Sequence, residues 1–115
     1  MARVVRAFPL LEGKRDTLMS FLAELEKRAE DTAQFYKAYG VTRESAHVQS
    51  TPQGDLLIVC TDLADADATA RAYAAEAAPF HAWFKGKVLE VTGFDPNQTP
   101  FGPEGSCVLD WPGQP

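Results

Sequence analysis

The chain has 115 residues, 45% of them hydrophobic and 23% charged, a composition expected of a single globular domain over 1–115. At this length about two thirds of the unfolded-chain surface is buried on folding, so a core needs no disulfide or metal staple. Eleven Lys and Arg against sixteen Asp and Glu leave a net charge of -5, which disfavours attraction to phosphate and argues against a nucleic-acid partner. Two cysteines are too few for a disulfide framework, and Cys60, inside an apolar run, reads as a reduced core thiol. The opening segment Met1-Ala2-Arg3-Val4-Val5-Arg6 breaks its apolar residues with charges, so no secretory signal is expected. No stretch approaches the roughly 20 apolar residues that span a bilayer. A cytoplasmic protein without a membrane partner is the expectation.

In chain order, Ala2 to Phe8 is rich in Val and Phe and meets Pro9, as a strand does where it ends or lies at an edge. From Lys14 to Tyr39, Leu18, Phe21, Leu22, Leu25, Ala29, Ala33 and Tyr36 repeat at the spacing of one helix face, opposite Glu24, Lys27, Arg28, Glu30 and Asp31. One long helix is predicted, with Gly13 before it and Gly40 as its left-handed stop. Thr42 to Ser50 and Asp55 to Thr61 read as an antiparallel hairpin turning at Thr51-Pro52-Gln53-Gly54. Asp62 or Asp65 then caps a second helix with the small face Ala66, Ala70, Tyr73, Ala74 and Ala77, which Pro79 interrupts because it lacks an amide hydrogen. Phe80, Trp83, Phe84, Val88 and Val91 continue the helical spacing to Gly93. A loop over 94–105 follows, dense in Pro and Gly around Phe101, and Ser106 to Trp111 reads as a fourth, edge strand before Pro112.

The order strand, helix, strand, strand, broken helix, strand predicts an α+β fold of the ferredoxin-like β-α-β-β-α-β plait, with core 2–93 and edge strand 106–111. Both helical layers then fall on one face of the sheet. Yet Leu56-Leu57-Ile58-Val59-Cys60 is apolar on both faces, the pattern of a strand covered from two sides. A second copy packing sheet to sheet is the simplest cover, with the C-terminal segment folded under the sheet as the other option.

The segments Glu12-Gly13-Lys14, Arg43-Glu44-Ser45-Ala46-His47-Val48 and Ala78-Pro79-Phe80-His81-Ala82-Trp83-Phe84 give this layout a resemblance to a known group. It resembles the dimeric α+β barrel superfamily, which includes cofactor-independent antibiotic-biosynthesis monooxygenases, stress-responsive small proteins and small bacterial proteins of unknown function. The resemblance implies a homodimer of ferredoxin-like protomers and no cofactor. It bears on fold more than on activity.

Arg6 and Glu44 are charges on strands that otherwise supply apolar side chains. Either they pair on the uncovered sheet face or in a cleft, or each points to water at a strand end. His47 shares its side of the second strand with Arg43, Ser45 and Gln49, which is either a solvent edge or a polar pocket wall. His81, beside aromatics at a helix start, is the candidate catalytic base, with Tyr73 or Glu44 as its helper in removing a proton from a phenol or enol; the other reading is a histidine bonded to backbone. Tyr36, Tyr39, Phe80, Trp83 and Phe84 form a core stripe or wall an apolar pocket between helices and sheet. Ligand-binding candidates are therefore Arg6, Glu44, His47, Tyr73, Phe80, Trp83 and Phe84. Two histidines and two distant cysteines offer no metal-ligand spacing, and no phosphate-binding or nucleotide motif occurs. A homodimer that binds a small apolar or aromatic molecule is the leading expectation. A cofactor-independent monooxygenase or isomerase acting on a phenolic or enolic substrate, and a structural or regulatory interaction protein, stand beside it.

Overall fold

The computed structural model describes residues 2–113; Met1, Gln114 and Pro115, part of the expected 1–115 unit, lie outside the described residues. Three strands, β1 (Ala2–Pro9), β2 (Val41–Thr51) and β3 (Gly54–Leu63), form an antiparallel sheet in the order β1-β3-β2. Four helices complete the α+β fold: α1 (Arg15–Lys27), α2 (Ala29–Ala38), α3 (Ala66–Ala75) and α4 (Pro79–Thr92).

The predicted hairpin is β2 and β3, in register from Ser50 opposite Asp55 back to Arg43 opposite Asp62, with a bulge between Val41 and Arg43. Because side chains alternate along a strand, Leu57, Val59, Thr61 and Leu63 of β3 share one face and are buried. Val4, Arg6 and Phe8 of β1 and Glu44, Ala46 and Val48 of β2 belong to that face by register. Phe8, Leu57 and Val59 pack there with Leu18, Phe21, Leu25, Phe35, Phe84 and Val91 of the helices and with Tyr39 just after α2. The opposite face carries Val5, Leu56, Ile58 and Cys60, so Cys60 is a half-exposed thiol on the open face and not the core thiol expected.

The long first helix is two helices. At Arg28 (φ -99, ψ 48) the ladder breaks, and the Leu25 carbonyl accepts instead from the Thr32 hydroxyl at 3.0 Å. Such a side-chain insertion bends a helix without Pro or Gly. The Arg28 guanidinium lies 4.6 Å from the Phe80 ring centre and 4.8 Å from that of Trp83, which anchors the bend against α4. The second helical layer breaks where Pro79 stands: α3 ends at Ala75 and α4 starts with Pro79 in its first turn. Asp65 is the observed cap, accepting from the Ala68 amide at 3.1 Å, and Gly93 (φ 80) closes α4 in the left-handed region.

The fourth strand is the main departure. Glu104 forms an isolated antiparallel bridge with Arg6, and the Gly105 amide donates to the Val5 carbonyl at 2.6 Å, beside β1 where the plait would place a fourth strand. Beyond it, Ser106–Trp111 joins no ladder among the described residues, and Val108, Leu109 and Trp111 are 94%, 82% and 85% exposed. An edge strand is held by backbone bonds together with burial of its side chains, and these three bury almost nothing against this protomer. No helix among the described residues is long and apolar enough to cross a membrane.

Candidate functional site

Between the helices and the covered sheet face lies a cavity of about 580 Å³. That volume falls within the range of small-molecule sites. Its walls are mainly apolar, from Leu18, Leu22, Phe35, Leu57, Val59 and Phe84. Ala29 and Ala33 on the α2 side and Ala46 on β2 line it while remaining exposed, so small side chains frame a mouth between helix and edge strand. The segment from Phe94 to Phe101 adds Phe94, Pro96, Thr99, Pro100 and Phe101 to the wall. Asp95 folds that segment by accepting from the Gln98 and Thr99 amides at its carbonyl and from the Asn97 amide at its carboxylate. Gly102 (φ +64) lets the chain pass over Phe8, since a Cβ there would stand 2.5 Å from the ring.

A compact polar cluster interrupts these walls. Arg6 Nη2 donates to Thr61 Oγ1 at 2.9 Å, and the Thr61 hydroxyl donates to Glu44 Oε2 at 2.7 Å. Arg6 Nη2 lies 3.5 Å from the same carboxylate oxygen, and the Tyr36 hydroxyl donates to the other at 2.8 Å. The charged side chains are only 12% and 19% exposed. One cation and one anion therefore neutralise each other on a largely apolar surface, with Thr61 as the bridge between them. Arg6 Nε is buried without a partner among the described residues, while the guanidinium carbon sits 5.7 Å from the Phe8 ring centre and 5.9 Å from that of Phe101. Burial, reinforced by the Glu44 charge, drives the Tyr36 phenol well above its ordinary range. The Tyr73 phenol also lines the cavity and is raised mainly by burial; it makes no hydrogen bond among the described residues.

Arg6 and Glu44 are thus paired, on the helix-covered face and not on the open one. Tyr73 and Phe84 join them in the cavity wall. Phe80 and Trp83 do not line it; they stack around Arg28, with Trp83 edge-on to Phe21. His47 lies on the open sheet face, exposed, with its Nε2 3.2 Å from the Ser45 hydroxyl. Neither expected helper of His81 touches it: Nδ1 shares a 2.6 Å hydrogen bond with the Tyr39 hydroxyl, and the ring lies 4.9 Å from that of Phe35. The imidazole is outside the cavity lining, because α4 turns it toward the α2 end and presents Phe84 and Val88 inward. Burial pushes the Tyr39 phenol up to about 12, with the Glu76 charge adding to it.

Thr61 and the hydroxyl of Tyr36 are the site groups that sequence reasoning missed. Thr61 carried a signal, being the one hydroxyl in the alternating set Leu57, Val59, Thr61 and Leu63 that β3 turns toward the core. Among the described residues no group of three His, Cys, Asp or Glu side chains is placed to hold a metal ion. Comparison with family models, curated proteins and solved structures finds no match.

Proposed function

We propose that this protein is a small homodimeric binding protein that takes an apolar or aromatic molecule into the cavity between its helices and its sheet. The observation that carries the reading is that cavity, with apolar walls meeting the Arg6–Thr61–Glu44 cluster. The unpaired thiols of Cys60 and Cys107 fit a reducing compartment, and a cytoplasmic location belongs to the same reading. The β1-β3-β2 order and the Glu104–Arg6 bridge beside β1 support a ferredoxin-like plait, and with it a dimeric α+β barrel. In the dimer a second copy covers the open face, where Val5, Leu56, Ile58 and Cys60 stand without helices above them.

Catalysis by a monooxygenase or isomerase needs a base at the ligand, and the position of His81 against Tyr39 favours binding over that reading. Exposed Val108, Leu109 and Trp111 favour an interaction role as the second reading.

Two measurements test the proposal. N-phenylnaphthylamine, a neutral dye that brightens in apolar surroundings, should bind saturably at one per protomer, and Ala46→Phe, which narrows the mouth, should reduce that binding. Sedimentation should give the mass of two chains, and Ile58→Lys, which sets like charges against each other across the two-fold, should give the mass of one. No saturable dye binding removes the cavity reading; a monomeric native protein removes the dimer.

A further inference from the structure

We infer that the cavity selects a neutral ligand, an apolar body carrying one hydroxyl or carbonyl oxygen, and rejects the corresponding carboxylate and amine. The inference rests on the binding reading above and adds the charge of the head group to it.

Its first ground is the balance of charge at the polar end. The site has a guanidinium, which by itself would invite an anion, but Glu44 already lies 3.5 Å from it and Thr61 hydrogen-bonds both. Both Glu44 oxygens are engaged, one by Thr61 and one by Tyr36. A carboxylate entering here would place a second anion beside Glu44 with no second cation in the cavity wall among the described residues, since Lys85, 5.2 Å from the Tyr73 ring centre, is already held by the Glu76 carbonyl and Asn97 Oδ1. An ammonium would do the same beside Arg6. Either ion loses its hydration in an apolar cavity without gaining a counter-charge, the costly case of ion burial.

The second ground is what remains unpaired. Tyr73 lines the cavity, its hydroxyl has no hydrogen-bond partner among the described residues, and Arg6 and Glu44 both lie within electrostatic reach of it. A phenol donates one hydrogen bond and accepts another, so it matches an alcohol or carbonyl oxygen. Leu18, Leu22, Leu57, Val59 and Phe84 offer the rest of the molecule only apolar surface.

Decanol, decanoate and decylamine share one chain and differ at the head, and at neutral pH they are uncharged, anionic and cationic. Each would be titrated against protein loaded with N-phenylnaphthylamine. Decanol should displace the dye at a concentration at least about tenfold lower than either ion, a difference of about 1.4 kcal/mol. Glu44→Gln unbalances Arg6, so decanoate should gain at least about tenfold while decanol changes little. Tyr73→Phe, a conservative change that does not depend on Glu44→Gln folding, should weaken decanol several-fold and leave decanoate unaltered. Decanoate or decylamine binding as well as decanol overturns the inference, as does bound dye that none of the three displaces; in both cases the cavity reading survives. Failure of the dye itself to bind removes the cavity reading and the inference with it.

Discussion

The two faces of β3 carry opposite anomalies. Toward the helices the strand presents Leu57, Val59, Thr61 and Leu63, and among these apolar neighbours the sheet inserts a charged pair, Arg6 and Glu44. Away from the helices, where water would be served by polar residues, it presents Leu56, Ile58 and Cys60 beside Val5 of β1. A sheet built only to fold would sort these the other way, since buried charge costs stability and exposed apolar surface invites association. The covered face gives up stability for a polar group inside a cavity. The open face leaves Val5 exposed and Leu56, Ile58 and Cys60 partly exposed. On the binding and dimer readings proposed above, one face is shaped for a guest and the other for a neighbour.

Substitutions on the two faces should therefore differ in kind. Leu63 is fully buried, so Leu63→Ala should cost about 2–5 kcal/mol of unfolding free energy. Val5 is 39% exposed, and Val5→Ala should change the stability of an isolated protomer by no more than about 0.5 kcal/mol. Urea titrations of both variants in the monomeric Ile58→Lys background give the comparison, and equal losses would erase the distinction between the faces. Thr61→Val comes next. It keeps the shape but removes the hydroxyl that accepts from Arg6 and donates to Glu44, so a loss of about 1–3 kcal/mol is expected from the buried groups left unpaired. Thr61→Ser, which keeps the hydroxyl, should recover most of it. A Thr61→Val protein as stable as the native one would mean that the cluster is already hydrated and is not the dry end of the cavity.

Much of this arrangement was legible in the sequence because it is written locally. The hairpin at Thr51–Gly54, the stop at Gly93 and the helix break at Pro79 each depend on a residue whose backbone preference is nearly independent of its surroundings. The pairing of Arg6 with Glu44 was also within reach, since charges on apolar strands need partners. Their face was not, because it follows from strand register, which a hairpin sets between β2 and β3 but which tertiary packing sets for β1. The bend at Arg28 left no mark, since neither Pro nor Gly stands there: the Thr32 hydroxyl bonds the Leu25 carbonyl and Arg28 stacks on Phe80 and Trp83, partners that only the folded packing supplies. The position of His81 at a helix start points to the cleft. Its rotation about α4, set by how Phe84 stacks on Phe35 at 4.2 Å, turned it to Tyr39. The C-terminal segment had the composition of a strand but found no buried face in this protomer to hold it.

The smallest effect lies at the edge of the open face, where Arg3 and Asp62 form a two-pronged pair with Nε–Oδ1 at 2.7 Å and Nη2–Oδ2 at 3.1 Å. Those hydrogen bonds hold the Asp62 carboxyl below the usual carboxylate range, against the opposing cost of desolvation, and Arg43 adds a weaker pull in the same direction. A carboxyl depressed by folding stabilises fully above its unfolded value, about 3.9, and the stabilisation is lost as pH falls through the lower folded value. Arg3→Ala should raise the Asp62 titration into the ordinary range or above it, because the desolvation that remains outweighs the weaker pull of Arg43. Carbon-detected NMR of the Asp62 carboxyl across the acid range reads this directly. Added salt should produce a smaller rise in the native protein, since the pair is open to solvent on the Arg3 side and its attraction is screened. By contrast, salt should leave the Arg6–Glu44 pair intact, as judged by an unchanged response to Thr61→Val, because little solvent reaches it. If salt weakened both pairs alike, the covered face would be as wet as the open one, and the physical difference between the two sides of β3 would disappear.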